Sequence, residues 1–162
     1  MKKFATAALL AAASVSSAWA VGGPLTFVGN TASFSTSVTG SFTDFWTFNV
    51  AAPGASAAAS ATNIAFNGGG GITSFAGLLS TVNLTATPTV SPPVTVNVLS
   101  GFTGVLSPGA YTLRISGTAG AGGASYGGNV VLTPIPEPET YALMLAGLGV
   151  VGFMAARRRS RG

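Results

Sequence analysis

Residues 21–134 consist of short stretches in which apolar and polar side chains alternate, and Gly, Pro, Asn and Ser separate these stretches. The clearest stretch is Ser41–Val50, where Phe42, Trp46 and Phe48 share one parity and mostly polar residues occupy the other. A period of two is typical of a β-strand with one buried face. Because no window has the apolar spacing of an amphipathic helix, this region is predicted to be an all-β domain.

About eight strands are expected in this domain, separated by turn residues such as Pro53-Gly54 and Pro92-Pro93. Gly77 and the run 117–123 are predicted to lie in loops. Turn signals at this spacing predict a small β-sandwich with a jelly-roll-like topology. The expected strands cover residues 32–38, 41–50, 57–66, 72–75, 81–87, 94–98, 111–115 and 129–133.

Charged residues are nearly absent from the predicted domain. Asp44 and Arg114 are its only charged side chains, and the excess of Lys and Arg that makes the chain basic lies at the two ends. This distribution excludes a basic groove for nucleic acid. The chain contains no Cys and no His, which excludes disulfide bonds and zinc sites built from these residues.

Catalysis is not expected from this composition. Residues 21–134 contain no His, Cys, Lys or Glu, so no Ser or Thr has an evident general base. A single Asp cannot form the carboxylate pair of a glycoside hydrolase. We therefore expect no enzyme activity, no catalytic residues and no cofactor.

The N-terminus has the pattern of a secretory signal peptide. Two lysines precede an apolar run, and Ala18 and Ala20 stand in an A-x-A arrangement at its end. Small side chains at these positions fit the pockets of a signal peptidase, so cleavage is predicted between Ala20 and Val21. Residues 1–20 are thus a predicted signal peptide, and the domain is expected to be exported across the inner membrane.

The C-terminus, residues 135–162, combines a Pro-Glu-Pro stretch at Pro136, Glu137 and Pro138 with an uncharged run over about 140–156. As a helix this run extends about 25 Å, slightly less than the bilayer core of about 30 Å. A transmembrane helix is therefore predicted over about 140–156. The basic tail 157–162 marks the cytoplasmic end by the positive-inside rule, through Arg157, Arg158, Arg159 and Arg161.

The order of Pro-Glu-Pro, short apolar helix and arginine cluster resembles a PEP-CTERM sorting signal. The resemblance implies recognition by an exosortase, a multi-spanning membrane enzyme of Gram-negative bacteria. It implies transient anchoring in the inner membrane, removal of the tail, and a final location at the cell surface or outside the cell. Since exosortase systems accompany exopolysaccharide production, it also suggests a biofilm or sheath component.

The strand that contains Asp44 carries a second resemblance. Phe42, Asp44 and Trp46 hold the places of the motif in the FxDxF type of PEP-CTERM protein, with Trp in place of the last Phe. The segment SPGAYTLRISGTA resembles a strand of the same families and of pre-peptidase C-terminal sandwiches. These resemblances imply a fold and a sorting route, and no activity.

Asp44 shares the parity of Phe42 and Trp46, so its carboxylate should be buried and should need donors or a cation. Three partners are open: backbone amides of a nearby loop, Arg114 at a sheet edge or bulge, or a calcium ion. Calcium is a weak candidate, because it usually takes several oxygen ligands and the domain offers one carboxylate. Arg114 should point outward, since its two apolar neighbours point inward. No metal site is therefore expected.

Two non-catalytic functions fit these observations. The first is a structural or interaction protein of the cell surface or extracellular matrix. The alternative is a carbohydrate-binding module that uses exposed aromatic rings as sugar platforms. Phe45, which faces away from Trp46, and Tyr126, in a predicted Gly-rich loop, are the candidate glycan contacts. The near-zero net charge of the domain also predicts self-association through strand edges.

Overall fold

The computed structural model describes residues 21–66, 69, 71–136 and 138–159. The predicted signal peptide lies outside the described residues, as do Glu137 and Arg161 of the sorting signal. The described part of the chain contains ten strands and one helix. The strands are β1 Gly23–Pro24, β2 Thr31–Val38, β3 Ser41–Val50, β4 Ala55–Phe66, β5 Ile72–Leu79, β6 Val82–Asn83, β7 Thr85–Ser91, β8 Val94–Leu106, β9 Gly109–Ala119 and β10 Ala124–Pro134, and the helix is α1 Pro138–Arg159.

The strands form two five-stranded sheets. Sheet A has the order β1-β3-β9-β5-β6, and sheet B has the order β2-β10-β4-β8-β7. The strand pairs are nested along the sequence, so that early strands pair with late ones. β2 pairs with β10, β3 with β9, β4 with β8 and β5 with β6, all antiparallel. Nested pairs wrapped into two sheets are the arrangement of a jelly roll. The predicted all-β sandwich with jelly-roll-like topology is confirmed.

The core lies between the sheets and follows the alternation of the strands. In β3, Phe42, Phe48 and Val50 are buried, whereas the side chains between them, apart from Asp44, are exposed or half-buried. The inward positions of β4 are mostly alanines. These small residues leave room for larger side chains of sheet A, among them Leu79, Leu113 and Ile115, so large and small positions interdigitate as close packing requires.

Several sequence-based boundaries are wrong: β8 continues to Leu106 rather than ending near residue 98, and β10 begins at Ala124 rather than at residue 129. Gly77 lies inside β5 rather than in a loop, and the absence of a Cβ at this position lets the side chain of Leu84 pack closely against the strand. The predicted strand 81–87 is divided into β6 and β7 on either side of the buried Leu84. β9 continues to Ala119, so the following loop begins later than predicted.

A bulge explains why the alternation in β5 is hard to read. The register with β9 shifts between Thr73 and Ala76, and Ser74 has a φ of 51°. An inserted residue reverses the parity of the strand beyond it. Both Ile72 and Phe75 are therefore buried, although three positions separate them.

The helix α1 is longer than the predicted 140–156. It begins at Pro138, since proline suits the first position of a helix, where no intrahelical N–H bond is needed. Glu139 in the first turn and the arginines of the last turn complement the helix dipole. Its 22 residues extend about 33 Å, and the span Glu139–Arg159 is long and apolar enough to cross a membrane.

Candidate functional site

The C-terminal segment follows the sandwich with almost no linker. Pro134, the last residue of β10, pairs with Ala55 of β4. The N–H of Ile135 donates a 3.2 Å hydrogen bond to the carbonyl oxygen of Gly54. The backbone pairing of the sandwich therefore ends immediately before the Pro-Glu-Pro stretch. The helix α1 begins at the last residue of that stretch, Pro138.

Asp44 lies at the centre of the other unusual feature of the fold. It is fully buried in β3, on the inner face of sheet A. Its Oδ2 accepts a 2.6 Å hydrogen bond from the hydroxyl of Tyr126, which lies on β10 of sheet B. Its Oδ1 accepts a 2.8 Å hydrogen bond from the backbone N–H of Val21. The carboxylate therefore links both sheets and the N-terminal segment.

Aromatic rings surround this hydrogen-bond network. Tyr126 stacks on Phe42 with ring centroids 5.6 Å apart, and its ring lies 5.8 Å from that of Phe75. Phe34 and Trp46 lie 5.1 Å apart, and Trp46 Nε1–H donates a 3.2 Å hydrogen bond to the Tyr126 hydroxyl. Exclusion of water by these rings strengthens the hydrogen bonds and makes an unpaired polar group costly.

The same surroundings hold Tyr126 in its protonated form. Burial is the main cause that raises the pKa of the Tyr126 hydroxyl far above its ordinary value. The hydrogen bond to Asp44 raises this pKa further, whereas the hydrogen bond from Trp46 lowers it. Tyr126 therefore remains a hydrogen-bond donor to Asp44 across the neutral pH range.

Arg114 is not the partner of Asp44. In the register of β3 with β9, Asp44 lies opposite Ile115, and Arg114 lies opposite Phe45 on the exposed face. One donor to Asp44 is a backbone amide, as one of the alternatives expected, but it comes from the N-terminal segment rather than a loop.

The geometry also disfavours calcium at Asp44. Both carboxylate oxygens face donor hydrogens, which occupy the directions in which a cation would bind. Within the described ranges, no group of three or more His, Cys, Asp or Glu side chains is placed to hold a metal ion.

The segment that follows the predicted cleavage point is docked along β3. Gly23 and Pro24 form β1, which pairs in parallel with β3 opposite Trp46 and Thr47. The N–H of Leu25 donates a 2.8 Å hydrogen bond to the carbonyl oxygen of Thr47. Gly23 and Pro24 are therefore part of sheet A, and Leu25 is bonded to its strand β3.

Close contact of Gly22 with the sheet places the nitrogen of Val21 at Asp44. A Cβ at Gly22 would overlap the backbone carbonyl of Phe45, so only glycine can lie this close to β3. The Val21 side chain is 47% exposed, whereas its nitrogen reaches the buried carboxylate.

The two candidate glycan contacts have different surroundings. Phe45 is 46% exposed on the outer face of sheet A, as its parity predicts. The placement of Tyr126 in a loop is wrong, because it lies on β10 and is 2% exposed. The glycines that suggested a loop lie inside the strand, and a Cβ at Gly128 would overlap the carbonyl oxygen of Ser60.

An open groove of about 870 Å³ crosses the outer face of sheet B. Its lining is uncharged and rich in hydroxyl groups. Among the lining residues are Ser35, Ser37, Thr62, Ile64, Ser125 and Gly127.

Sequence reasoning missed two buried polar residues. Asn63 Nδ2 donates to the carbonyl oxygen of Ser125 at 2.8 Å, and its Oδ1 accepts from the N–H of Ile72 at 3.0 Å. Its parity with the inward alanines of β4 is a signal that could have revealed it. Thr103 Oγ1 bonds to the N–H and the carbonyl of Ala57 at 3.1 and 3.2 Å. These bonds replace ladder bonds at a register shift of β4, and a local pattern gives no sign of them.

Comparison with known families identifies the C-terminal segment. Residues 134–159 match the PEP-CTERM protein-sorting motif. No curated protein and no solved structure matches the chain. The motif supports an exported protein that is recognised by an exosortase and anchored in the membrane before surface display. The FxDxF resemblance of Phe42, Asp44 and Trp46 lies outside the matched residues and stays a prediction.

Proposed function

We propose that this protein is a non-catalytic component of the cell surface or extracellular matrix, delivered by exosortase sorting and associated with exopolysaccharide in a biofilm. The observation that carries the proposal is the PEP-CTERM motif at residues 134–159, directly after the last strand of the sandwich. The motif makes the sandwich the part of the protein that is delivered.

Delivery follows from the order of the segments. Signal peptidase removes residues 1–20 during export, and α1 then holds the sandwich at the outer side of the inner membrane. The arginines at the end of α1 remain on the cytoplasmic side. Cleavage by the exosortase releases the sandwich to the cell surface or the surrounding matrix.

A passive role agrees with the state of the charged groups in the sandwich. Asp44 is buried and its two oxygens are occupied by Val21 and Tyr126, so it is out of reach of a substrate. Arg114 is exposed, with Phe45 and Leu78 opposite it on the neighbouring strands. General acid–base catalysis needs a titratable group that can contact the reacting atoms. Asp44 is too deeply buried to do so, and the residues opposite Arg114 offer no acid or base to act with it.

The outer face of sheet B suits contact with polysaccharide. Hydroxyl groups line the groove, and neighbouring polar side chains already bond to each other, such as Ser37 with Ser125 at 3.0 Å and Ser60 with Asn129 at 2.6 Å. An open, uncharged groove of this kind forms weak and repeated hydrogen bonds with a hydrated polymer rather than one tight complex.

The first experiment measures the intact mass and the location of the protein in its native host, with and without the exosortase. A tail-less extracellular form that requires the exosortase is expected. A full-length form held in the inner membrane in both strains would contradict the proposal and identify α1 as a permanent anchor.

Two neighbouring acidic residues provide a matched control for this experiment. Glu137→Gln changes the Pro-Glu-Pro stretch and is expected to block removal of the tail. Glu139→Gln makes the same chemical change two positions later, in the first turn of α1, and is expected to leave processing intact. Equal processing of both variants would show that the exosortase does not recognise the Glu137 carboxylate.

A carbohydrate-binding module is the second candidate, and the exposure of Phe45 favours it. The ring lies on the outer face of sheet A, opposite Arg114 in the register, and such a site can combine stacking on a sugar with a cationic hydrogen-bond donor. Binding to a polysaccharide panel that is lost in Phe45→Ala would support it. Phe102→Ala is the control, because Phe102 is 62% exposed on β8 of the other sheet.

A further inference from the structure

The nitrogen of Val21 is both the atom that signal peptidase is predicted to release and a hydrogen-bond donor to a buried carboxylate. In the described structure its N–H lies 2.8 Å from Asp44 Oδ1. We infer that cleavage of the signal peptide creates an ammonium group at Val21 that forms an ion pair with the buried carboxylate of Asp44 and completes the folded domain. This inference rests on the export step of the proposed function.

The cleavage supplies a charge that the domain otherwise lacks. Hydrolysis of the Ala20–Val21 peptide bond consumes one water and leaves a carboxylate on Ala20 and an ammonium on Val21. Arg114, the only cationic side chain in residues 21–134, lies on the outer face of sheet A. The new ammonium is thus the one cation of the mature domain that the fold places beside Asp44.

Three contacts hold the Val21 nitrogen in place before the cut. β1 pairs Gly23 with Trp46, Leu25 bonds to Thr47, and Gly22 lies against the carbonyl of Phe45. Because these contacts involve residues after the cut, they remain in the mature chain. The ammonium therefore forms in an oriented position beside the carboxylate, which lowers the ordering cost of the ion pair.

A buried carboxylate gains more from an ammonium than from an amide. An uncharged N–H supplies one hydrogen bond, whereas the ammonium adds opposite charge at the same distance, in surroundings that screen it weakly. Val21 is 47% exposed, so the ammonium forms at the edge of the buried site rather than deep in the core. The precursor is therefore expected to fold less stably than the processed protein.

The composition offers a direct probe of this ion pair. Lys2 and Lys3 are the only lysines in the sequence, and both lie in the predicted signal peptide. After cleavage, the α-amine of Val21 is the only primary amine of the mature chain. An acylating reagent such as an N-hydroxysuccinimide acetate ester therefore reports on this single group.

The experiment uses the processed chain, produced with its own signal peptide and purified in detergent with α1 in place. Intact mass identifies the first residue. Acylation of the native protein at neutral pH is expected to be at least about tenfold slower than in denaturant, because a paired ammonium has no free lone pair. A Ser-Gly insertion between Ala20 and Val21 keeps the cleavage signal but returns Val21 to an amide, and is expected to lower the melting temperature by about 5 °C.

Matched variants separate the charge from the packing. Gly22→Ala disturbs the contact with Phe45 and is expected to expose the amine to the reagent, whereas Gly23→Ala meets no atom within 4 Å and is expected to leave it protected. In the Asp44→Asn background, the Ser-Gly insertion is expected to have no further effect on the melting temperature. The labelling and insertion results on the unsubstituted core do not depend on whether Asp44→Asn folds.

The outcomes distinguish this inference from the export proposal. A chain that begins at Val21, has a protected amine and is destabilised by the insertion supports both. A chain that begins at Val21 but is labelled as fast as the unfolded chain, with no effect of the insertion, overturns the ion pair and leaves the export proposal standing. A chain that retains residues 1–20, or is cut at another bond, overturns the predicted cleavage and the ion pair together.

Discussion

The Tyr126 hydroxyl donates a 2.6 Å hydrogen bond to Asp44 Oδ2 and joins sheet B to sheet A inside the sandwich. Asp44 is fully excluded from solvent, and Tyr126 is almost so. Removal of the Tyr126 hydroxyl leaves Asp44 Oδ2 buried without a donor, and this costs more than the net gain from the bond itself. The core around these two residues is therefore unusually sensitive to small polar changes.

Tyr126→Phe tests this hydrogen bond with little change in packing. We expect a loss of about 2 kcal/mol in the free energy of unfolding, because Asp44 Oδ2 and Trp46 Nε1 both lose their partner. Urea denaturation followed by Trp46 fluorescence measures it. Tyr111→Phe is the control, since the Tyr111 hydroxyl bonds to the Ser107 carbonyl at an exposed position. Equal losses in both variants would contradict the special role of the buried bond.

Asp44→Ala is expected to be more damaging, at about 3 kcal/mol. The substitution leaves the Tyr126 hydroxyl and the Val21 nitrogen without their acceptor. Thermal unfolding measures the effect, with Thr47→Ala on the exposed face of the same strand as the control. An unchanged melting temperature for Asp44→Ala would rule out a structural role for the carboxylate.

Stability is expected to fall at alkaline pH because of Tyr126. Its pKa is raised in the folded protein, first by burial and then by the bond to Asp44, whereas an unfolded tyrosine has a pKa of about 10. Above about pH 10 the unfolded chain releases a proton that the folded chain keeps, so the stability is full below this pH and is lost as the pH rises. Urea midpoints between pH 8 and 11 measure the loss. Tyr126→Phe should remove this part of the slope, and an identical slope in both proteins would contradict the assignment.

Thr103→Val tests the side chain that bonds to β4 at the bulge of β8, where Thr103 and Gly104 lie opposite Ala57. The change keeps the shape of the side chain but leaves the N–H and carbonyl of Ala57 without their partner. We expect a loss of about 2 kcal/mol in urea denaturation. Thr87→Val is the matched control, because Thr87 lies on the exposed strand β7 and its bond to Val98 is long, at 3.5 Å. A loss in Thr103→Val no larger than that in the control would show that the bulge needs no side-chain partner.

Self-association of the mature domain is expected to involve the edge strand β2. This strand pairs with β10 on one side only and contains neither a charge nor a proline, whereas the other edge of sheet B, β7, contains Pro88. Ser35→Lys should reduce association in light scattering at high concentration. Ser100→Lys adds the same charge to β8, inside the sheet, and should reduce it less. A monomeric unsubstituted protein would refute the prediction.

The strands that could be predicted are those with regular alternation. The bounds of β3 agree with the prediction, because the burial of its side chains alternates over all ten residues and fixes which face is inward. β5 and β10 were predicted less well, since a bulge breaks the pattern in the first and glycines suggest a loop in the second. In both strands glycine marks a close approach of neighbouring atoms, at Gly77 and Gly128, rather than a turn.

The order of residues along the chain determined the alternation of the strands, the burial of Asp44 by parity, and the sorting signal, because each depends only on near neighbours. The tertiary structure decided which groups meet Asp44. Val21 lies 23 positions before it and Tyr126 lies 82 positions after it. Parity shows that a side chain points inward, but only the pairing of β1 with β3 and the packing of β10 across from β3 bring these distant donors to one carboxylate.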